Sequence, residues 1–209
     1  DGNTEALIQY VNAFLSAEGH TLIPAGSKFA TFSLDEYSLE YERHTEFVSI
    51  SFIQKTDALD TGLLSASYDE SKVPLPLEWA RRAPMSLFHA IWLEIGGKSP
   101  VGLTEQNMLD LMEARAVAAN QFSDGAAEVY FAFDIDKAGF SRVALYNSSM
   151  TASRLGRAVQ RIVELETYRL LALLGFATVR EHESKLDAIA KRVGVLTNEL
   201  GDQINQPES

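Results

Sequence analysis

Apolar side chains near the start of the chain recur at the spacing of a helix. Residues 4–18 place several of them on one face, with Thr4 positioned as a cap and Gly19 as the stop. The shared face consists of Leu7, Val11, Phe14 and Leu15. The pattern predicts an amphipathic helix that buries this face.

The period changes from that of a helix to that of a strand between Phe29 and Gln54. Apolar positions alternate there, first at odd numbers and later at even numbers. The odd face consists of Tyr37, Leu39 and Tyr41, and the even face of Val48, Ile50 and Phe52. Because alternation changes face only across an interruption, a tight turn or a bulge is predicted between Tyr41 and Val48.

The middle of the chain predicts both helices and strands. Residues 87–95 are apolar on both faces, which favours a central strand, whereas the polar residues 56–75 favour a surface loop. The remaining predicted elements are two helices, Pro76–Arg82 and Thr104–Arg115, and a hairpin of residues 129–135 and 140–146. Strands between flanking helices predict an α+β fold with a mainly antiparallel sheet.

Two helices are predicted after the hairpin. Thr151 is placed to cap the first, which reaches about Gly175, and the second runs from about Arg180 to Ile204. Apolar residues of the second helix step by three and four, at Leu186, Ile189, Val193, Leu196 and Leu200. This heptad spacing indicates the start of a coiled-coil stalk, and a helix docked on the rest of the chain is the alternative. We therefore expect a head of residues 1–178 and the start of a stalk in residues 179–209.

Charge narrows the classes of partner. The 209 residues carry a formal net charge of −11, which disfavours binding to the phosphate backbone of nucleic acids. The chain has no cysteine, which excludes disulfides and thiolate chemistry. Residues 151–180 are the exception in charge, with five arginines and two acidic residues. They predict either a helix paired with the acidic remainder or a site for an anion or an acidic partner.

The densest polar cluster lies at residues 42–46. In an extended strand, Glu42, His44 and Glu46 point to one side, while Arg43 and Thr45 point to the other. One histidine between two carboxylates can bind a divalent metal or act as an acid and base pair. The structural alternative is an exposed, charged strand face that protects the edge of a sheet.

A second cluster lies on the predicted helix after Thr151. Glu166 falls within an apolar stripe, where a carboxylate must be paired or protonated. Arg43 or His44 is the partner expected from the strand, and Arg169 is the partner available on the helix. The stripe consists of Leu155, Val159, Ile162, Leu170 and Leu173, and the adjacent face of Arg157, Arg161, Glu164 and Tyr168.

These clusters define the candidate residues, although neither completes a catalytic motif. A structural ion-pair network and a pocket lined by Glu166, Arg161 and Tyr168 are both compatible with the helix pattern. The candidates for catalysis are His44, Glu46 and Glu166, those for ligand binding are Arg43, Arg157, Arg161 and Tyr168, and those for a metal are Glu42, His44 and Glu46. No cofactor is indicated.

One further motif is incomplete, and one further histidine lies on an apolar strand face. Gly97-Lys98-Ser99 follows a predicted strand, but Trp92 occupies the position of the first glycine of a phosphate loop and Pro100 interrupts the next helix. His89 shares an apolar strand face, which is typical of a hydrogen-bonded core histidine.

Two stretches resemble a known bacterial family. One is Tyr41-Glu42-Arg43-His44-Thr45-Glu46-Phe47, and the other runs from Gly139-Phe140-Ser141-Arg142 through Gly156-Arg157 to Glu164-Leu165-Glu166-Thr167-Tyr168-Arg169-Leu170-Leu171-Ala172-Leu173-Leu174-Gly175. Both resemble the domain-of-unknown-function 3422 family, over roughly residues 35–200. The resemblance implies longer chains, in which a coiled coil leads to hydrophobic, membrane-anchoring segments. It implies no catalytic residues.

The sequence and the resemblance together predict a non-enzymatic interaction or scaffold module. We expect a protein partner, a homo-oligomer formed through the stalk, and no nucleic acid. The longest apolar run, Leu170 to Val179, is about half a membrane span, so this piece is expected to be soluble. The resemblance alone implies that the full-length protein associates with a membrane. The alternative is a hydrolase-like enzyme or small-ligand sensor that uses Glu42, His44 and Glu46 with Glu166, Arg161 and Tyr168.

Overall fold

A computed structural model describes residues 2–54, 77–122 and 125–204. The chain divides into two compact units between Leu155 and Gly156. The described residues of the first unit contain three helices, a three-stranded sheet and a four-stranded sheet, while the second unit is formed by one long helix. The predicted α+β class is therefore confirmed, and the loop predicted at residues 56–75 lies outside the described residues.

The first sheet is an antiparallel meander next to helix α1 (Gly2–Ala17). Its strands are β1 (Phe29–Ser33), β2 (Tyr37–Arg43) and β3 (Val48–Gln54), in the order β1-β2-β3. The core consists of Leu7, Ile8, Val11, Leu15, Ile23, Phe32, Leu34, Leu39 and Tyr41. A turn at residues 44–47 joins β2 to β3, which confirms the interruption predicted from the change of face.

Helix α1 begins earlier than the sequence predicted. Since the helix includes Gly2, Thr4 lies inside its first turn and is not the cap. Gly19 has a φ of +76°, and its N–H donates to the carbonyl of Ser16 at 3.1 Å, so the predicted stop is confirmed. The Asn12 side chain then fixes the following segment, because its amide bonds both the N–H and the carbonyl of Ile23, at 2.7 and 3.0 Å.

The second sheet contains β4 (Ile91–Gly96), β5 (Val117–Phe122), β6 (Ala127–Ile135) and β7 (Ser141–Asn147), in the order β4-β7-β6-β5. The β4–β7 pair is parallel, and the other pairs are antiparallel. The predicted hairpin is confirmed as β6–β7. The prediction of a central strand at 87–95 is wrong, because β4 is an edge strand among the described strands. Apolar residues on both faces of a strand indicate that both faces are partly buried. They do not indicate how many strands lie beside it in the sheet.

Helix α2 (Leu77–Arg81) is the predicted short helix, and α3 (Glu105–Met112) covers one face of the second sheet. Thr104 caps α3 in a reciprocal capping box with Asn107. The buried side chains of Met108 and Met112 pack there against a cluster that also contains Ala132, Ala144 and Tyr146. The helix ends three residues before the predicted Arg115, since Glu113 adopts a left-handed conformation with φ of +48°.

Helix α4 is a single helix of 53 residues, Ala152–Ile204. The N–H of Leu155 donates to the carbonyl of Thr151 at 2.9 Å, so Thr151 lies at the predicted start. The predicted interruption between Gly175 and Arg180 is wrong, because the helix runs through both residues. One interior glycine costs about 1 kcal/mol, which the good helix formers on both sides offset.

Candidate functional site

The first candidate cluster lies at the turn between β2 and β3. The backbone N–H of His44 donates to the carbonyl of Phe47 at 2.9 Å, and the two rings stack with centroids 4.2 Å apart. The Nε2 atom of His44 lies 3.2 Å from Ser49 Oγ and 3.7 Å from Glu42 Oε2. The tight turn therefore holds the histidine in one orientation, half-buried against an aromatic ring and beside one carboxylate.

This turn changes the geometry assumed for the cluster. Because β2 ends at Arg43, His44 and Glu46 belong to the turn and do not continue the alternation of a strand. In the described part of the chain, no three histidine or acidic side chains converge in a way that would hold a metal ion. The neighbouring Tyr41 is fully buried, and burial raises the pKa of its phenol, against a smaller opposing effect of Arg43. Among the described residues, His44 therefore has one carboxylate beside it, that of Glu42, while Glu46 is exposed on the turn.

The second candidate cluster lies on α4, around Glu166. This carboxylate is 1% exposed, and it accepts hydrogen bonds from Arg169 Nε at 3.2 Å and Arg169 Nη2 at 2.8 Å. The structure thus shows the pairing along the helix that the sequence offered as an alternative. Both of these bonds converge on Oε2, and the Nε–H also reaches Oε1 at 3.3 Å, so one arginine contacts both oxygens of the buried carboxylate in a structural ion pair.

The other candidates on α4 point away from Glu166. At 100° per residue, Arg161 and Tyr168 lie about 140° and 160° around the helix from Glu166. Both side chains are exposed, as is that of Arg157, whereas Glu166 is buried. On this helix, Glu166, Arg161 and Tyr168 therefore do not share a face that could line one pocket.

Helix α4 also carries a row of exposed apolar side chains at heptad spacing. Four side chains of the predicted heptad, those of Leu186, Ile189, Val193 and Leu196, are each 50–60% exposed, and that of Leu200 lies outside the described residues. The same a and d register continues upstream through three more apolar side chains in the same range of exposure: Leu165, Tyr168 and Val179. These seven residues are called the seam below. Ala172, Gly175 and His182 occupy the intervening a and d positions.

A polar groove of about 640 Å³ opens at one end of the second sheet. It lies beyond the carboxyl ends of β4 and β7, where the parallel pairing stops at Gly96 and Tyr146. Among the described residues that line it, seven are polar: Lys98, Ser99, Asn120, Gln121, Glu128, Tyr130 and Ser148. This sheet-end groove was missed by the sequence analysis, whose only signal there was the incomplete Gly97-Lys98-Ser99 motif.

Comparison with known families decides the relationship. The family described as "Protein of unknown function (DUF3422)" matches residues 1–209. The chain belongs to the DUF3422 family. No curated protein and no solved structure matches it.

Membership of DUF3422 transfers no functional residue, since the family is described as one of unknown function. Among the described helices, none is long and apolar enough to cross a membrane. The bacterial, membrane-anchored setting implied by the resemblance stays a prediction. The role of this DUF3422 chain must therefore be argued from the turn, the Glu166 ion pair, the seam and the sheet-end groove.

Proposed function

We propose that this DUF3422 chain is a non-enzymatic scaffold module, in which α4 joins two copies and residues 1–155 recognise a protein partner. One observation carries the proposal: seven apolar side chains in a single heptad register are half or more exposed along one face of α4. A helix face of this kind is stabilised when it is buried against another apolar face. The bacterial membrane setting is proposed from the family resemblance, and the scaffold proposal does not depend on it.

A second copy of the same helix is the occupant that fits the seam. Val193 at a with Leu196 at d favours two parallel strands, whereas Leu186 at a with Ile189 at d favours three or four. These residues therefore support self-association of α4, of which the two-stranded form is the one proposed. In a parallel, in-register pair, Lys185 and Arg192 at g would face alanine and threonine at e of the other copy. No like charges then meet across the seam. If the two helices ran antiparallel with residues 186–196 of one copy beside residues 186–196 of the other, the two Arg192 side chains would lie together.

The enzyme or sensor alternative has less support from the arrangement of its residues. His44 has one nearby carboxylate, and Arg161 and Tyr168 project from the side of α4 opposite to Glu166. Both clusters already have structural partners, in Ser49 and Arg169 respectively. A scaffold role uses the seam and requires no chemistry from either cluster.

Sedimentation velocity on three proteins tests the proposal. We expect the wild type to sediment as a dimer, Leu196→Asp as a monomer with unchanged helix content, and His44→Ala as a dimer. A wild type that stays monomeric over the accessible concentration range would overturn the scaffold proposal. A purified His44→Ala protein that keeps its fold and its dimer but loses function in the host would favour the enzyme or sensor alternative.

A further inference from the structure

The position of the sheet-end groove resembles that of ligand sites in sheets with parallel strands. Ligands of open α/β sheets bind outside the carboxyl ends of the strands, where the connecting loops diverge. Here β4 and β7 run parallel, and their carboxyl ends lead into the loop that carries Lys98 and into Ser148, both of which line the groove. The volume of about 640 Å³ falls within the range of about 300–1,000 Å³ that small-molecule sites occupy.

The polar groups at the floor of the groove are held in place before any ligand binds. The Tyr130 hydroxyl donates to Glu128 Oε2 at 3.1 Å and is also hydrogen-bonded to the side chain of Ser99. The Tyr130 ring packs edge-on against Tyr146, with centroids 6.0 Å apart and planes at 84°. This packing fixes the tyrosine and, through it, the Glu128 carboxylate. Pre-organised groups lose little conformational entropy when a ligand binds.

The chemical balance of the lining selects the class of ligand. One ammonium and one carboxylate cancel in charge, so the groove favours neither a polyanion nor a polycation. The carboxamide of Gln121 and the hydroxyls of Ser99 and Tyr130 offer both donors and acceptors, since Gln121 pairs with Glu128 on the same face of the sheet. Asn120, its neighbour on β5, points to the other face, and its Oδ1 accepts from the N–H of Gln121 at 2.8 Å. Pro100 and Leu103 add apolar surface at the same opening.

We propose that the sheet-end groove of this chain binds a saccharide. A sugar ring is uncharged, carries hydroxyls that both donate and accept, and presents a C–H face to apolar side chains. Glu128 would accept from the hydroxyls, and Gln121 would both accept from and donate to them, while Leu103 and Pro100 would contact the C–H face. The groove and the seam consist of different residues, so sugar binding and self-association can be tested independently.

Titration of the purified chain with sugars tests the proposal. The probes are glucose, N-acetylglucosamine and their disaccharides maltose and chitobiose, with binding followed by calorimetry and by NMR shifts of the backbone amides. We expect at least one probe to bind saturably, with shifts centred on residues 98–103, 119–121 and 128–130. If a disaccharide binds more tightly than its monosaccharide, the ligand is a chain of sugars. If the monosaccharide binds more tightly, the ligand is a free sugar.

A matched pair of variants locates the site. Gln121→Ala removes one carboxamide from the groove, whereas Gln106→Ala removes one from the exposed face of α3, where it bonds Asp110. We expect Gln121→Ala to weaken binding about tenfold, the effect of about one hydrogen bond, and Gln106→Ala to leave it unchanged. Equal effects of the two variants, no saturable response to any probe, or binding of a free zwitterionic amino acid in place of sugars would each overturn the proposal. If the monomeric Leu196→Asp variant still binds sugar, sugar binding does not depend on dimer formation, and the two proposals are tested independently.

Discussion

Replacing Val193 by aspartate tests the proposed seam at its most informative position. Val193 occupies an a position between Ile189 and Leu196, so in a parallel pair it faces its own counterpart. It is 56% exposed on α4, which leaves about half of the side chain to be buried by a second copy.

The expected effect follows from this exposure. Complete burial of a valine side chain is worth about 1.5–3 kcal/mol, so the remaining half contributes about 1 kcal/mol in each copy. Aspartate also brings a carboxylate from each copy into the seam, and each loses hydration. The cost is about 1–3 kcal/mol for an uncharged polar group, which is a lower bound for a carboxylate. The two copies together lose about 4 kcal/mol even at the lower values. The Kd of the dimer should therefore rise about a thousandfold.

Val195→Asp is a matched control for this change. Val195 is 55% exposed, lies two residues further along α4 and falls at the c position, off the seam. The two variants share the same change in charge, in size and in helix propensity. Sedimentation velocity over a range of concentrations should show a dissociated Val193→Asp protein and a Val195→Asp protein close to the wild type. Equal Kd values for the two variants would refute the reasoning from heptad register.

Two further predictions concern the ion pairs of Glu166 with Arg169 and of Asp134 with Arg115. Arg169→Met should lower the free energy of unfolding by about 3–5 kcal/mol, because it leaves the buried Glu166 carboxylate without its partner. When Glu166→Leu is added to Arg169→Met, the free energy of unfolding measured in urea should return close to the wild-type value. A double variant as unstable as Arg169→Met alone would contradict the ion-pair assignment. The exposed pair of Arg115 and Asp134 gives a pH dependence: hydrogen bonds from the Arg115 side chain and backbone hold the pKa of Asp134 below its ordinary value. Since the folded pKa is the lower one, the stabilisation is complete above the unfolded value of about 3.9 and is lost as the pH falls through the folded value. The difference in urea midpoint between wild type and Arg115→Ala should accordingly narrow in acid, and a difference that stays constant between neutral and acidic pH would exclude this linkage.

Most of the strands that the sequence predicted have a clear period of two, and the exception is β4, which was predicted from apolar residues on both faces. The change of face between Tyr41 and Val48 located the β2–β3 turn, because no continuous strand can exchange its faces. Strand β5 was missed, since its segment Val117–Phe122 contains Ala, Asn and Gln in place of the β-branched and aromatic residues that mark a strand. It forms because β6 offers an unpaired edge, which is a property of the assembled sheet.

The seam was predicted only in part for a similar reason. From Leu186 onward, polar residues separate the apolar ones and the heptad is visible in the sequence. Between Leu170 and Val179 the helix is apolar nearly all round, so no period can be distinguished. One continuous helical frame is needed to show that Leu165, Tyr168 and Val179 share the register of the later residues. The predicted break near Gly175 had removed that frame.

The sheet-end groove could not be predicted, because strand order assembles it. Its walls come from the loop after β4, from β5 and from β6, which the order β4-β7-β6-β5 brings to one end of the sheet. Read along the chain, Lys98 belongs to a failed phosphate loop and would favour an anion. In the folded sheet the same lysine shares a groove with Glu128, whose carboxylate cancels its charge and disfavours a phosphate. The preference for an uncharged, hydroxyl-rich ligand thus arises from a pairing of residues thirty positions apart, which only the folded chain establishes.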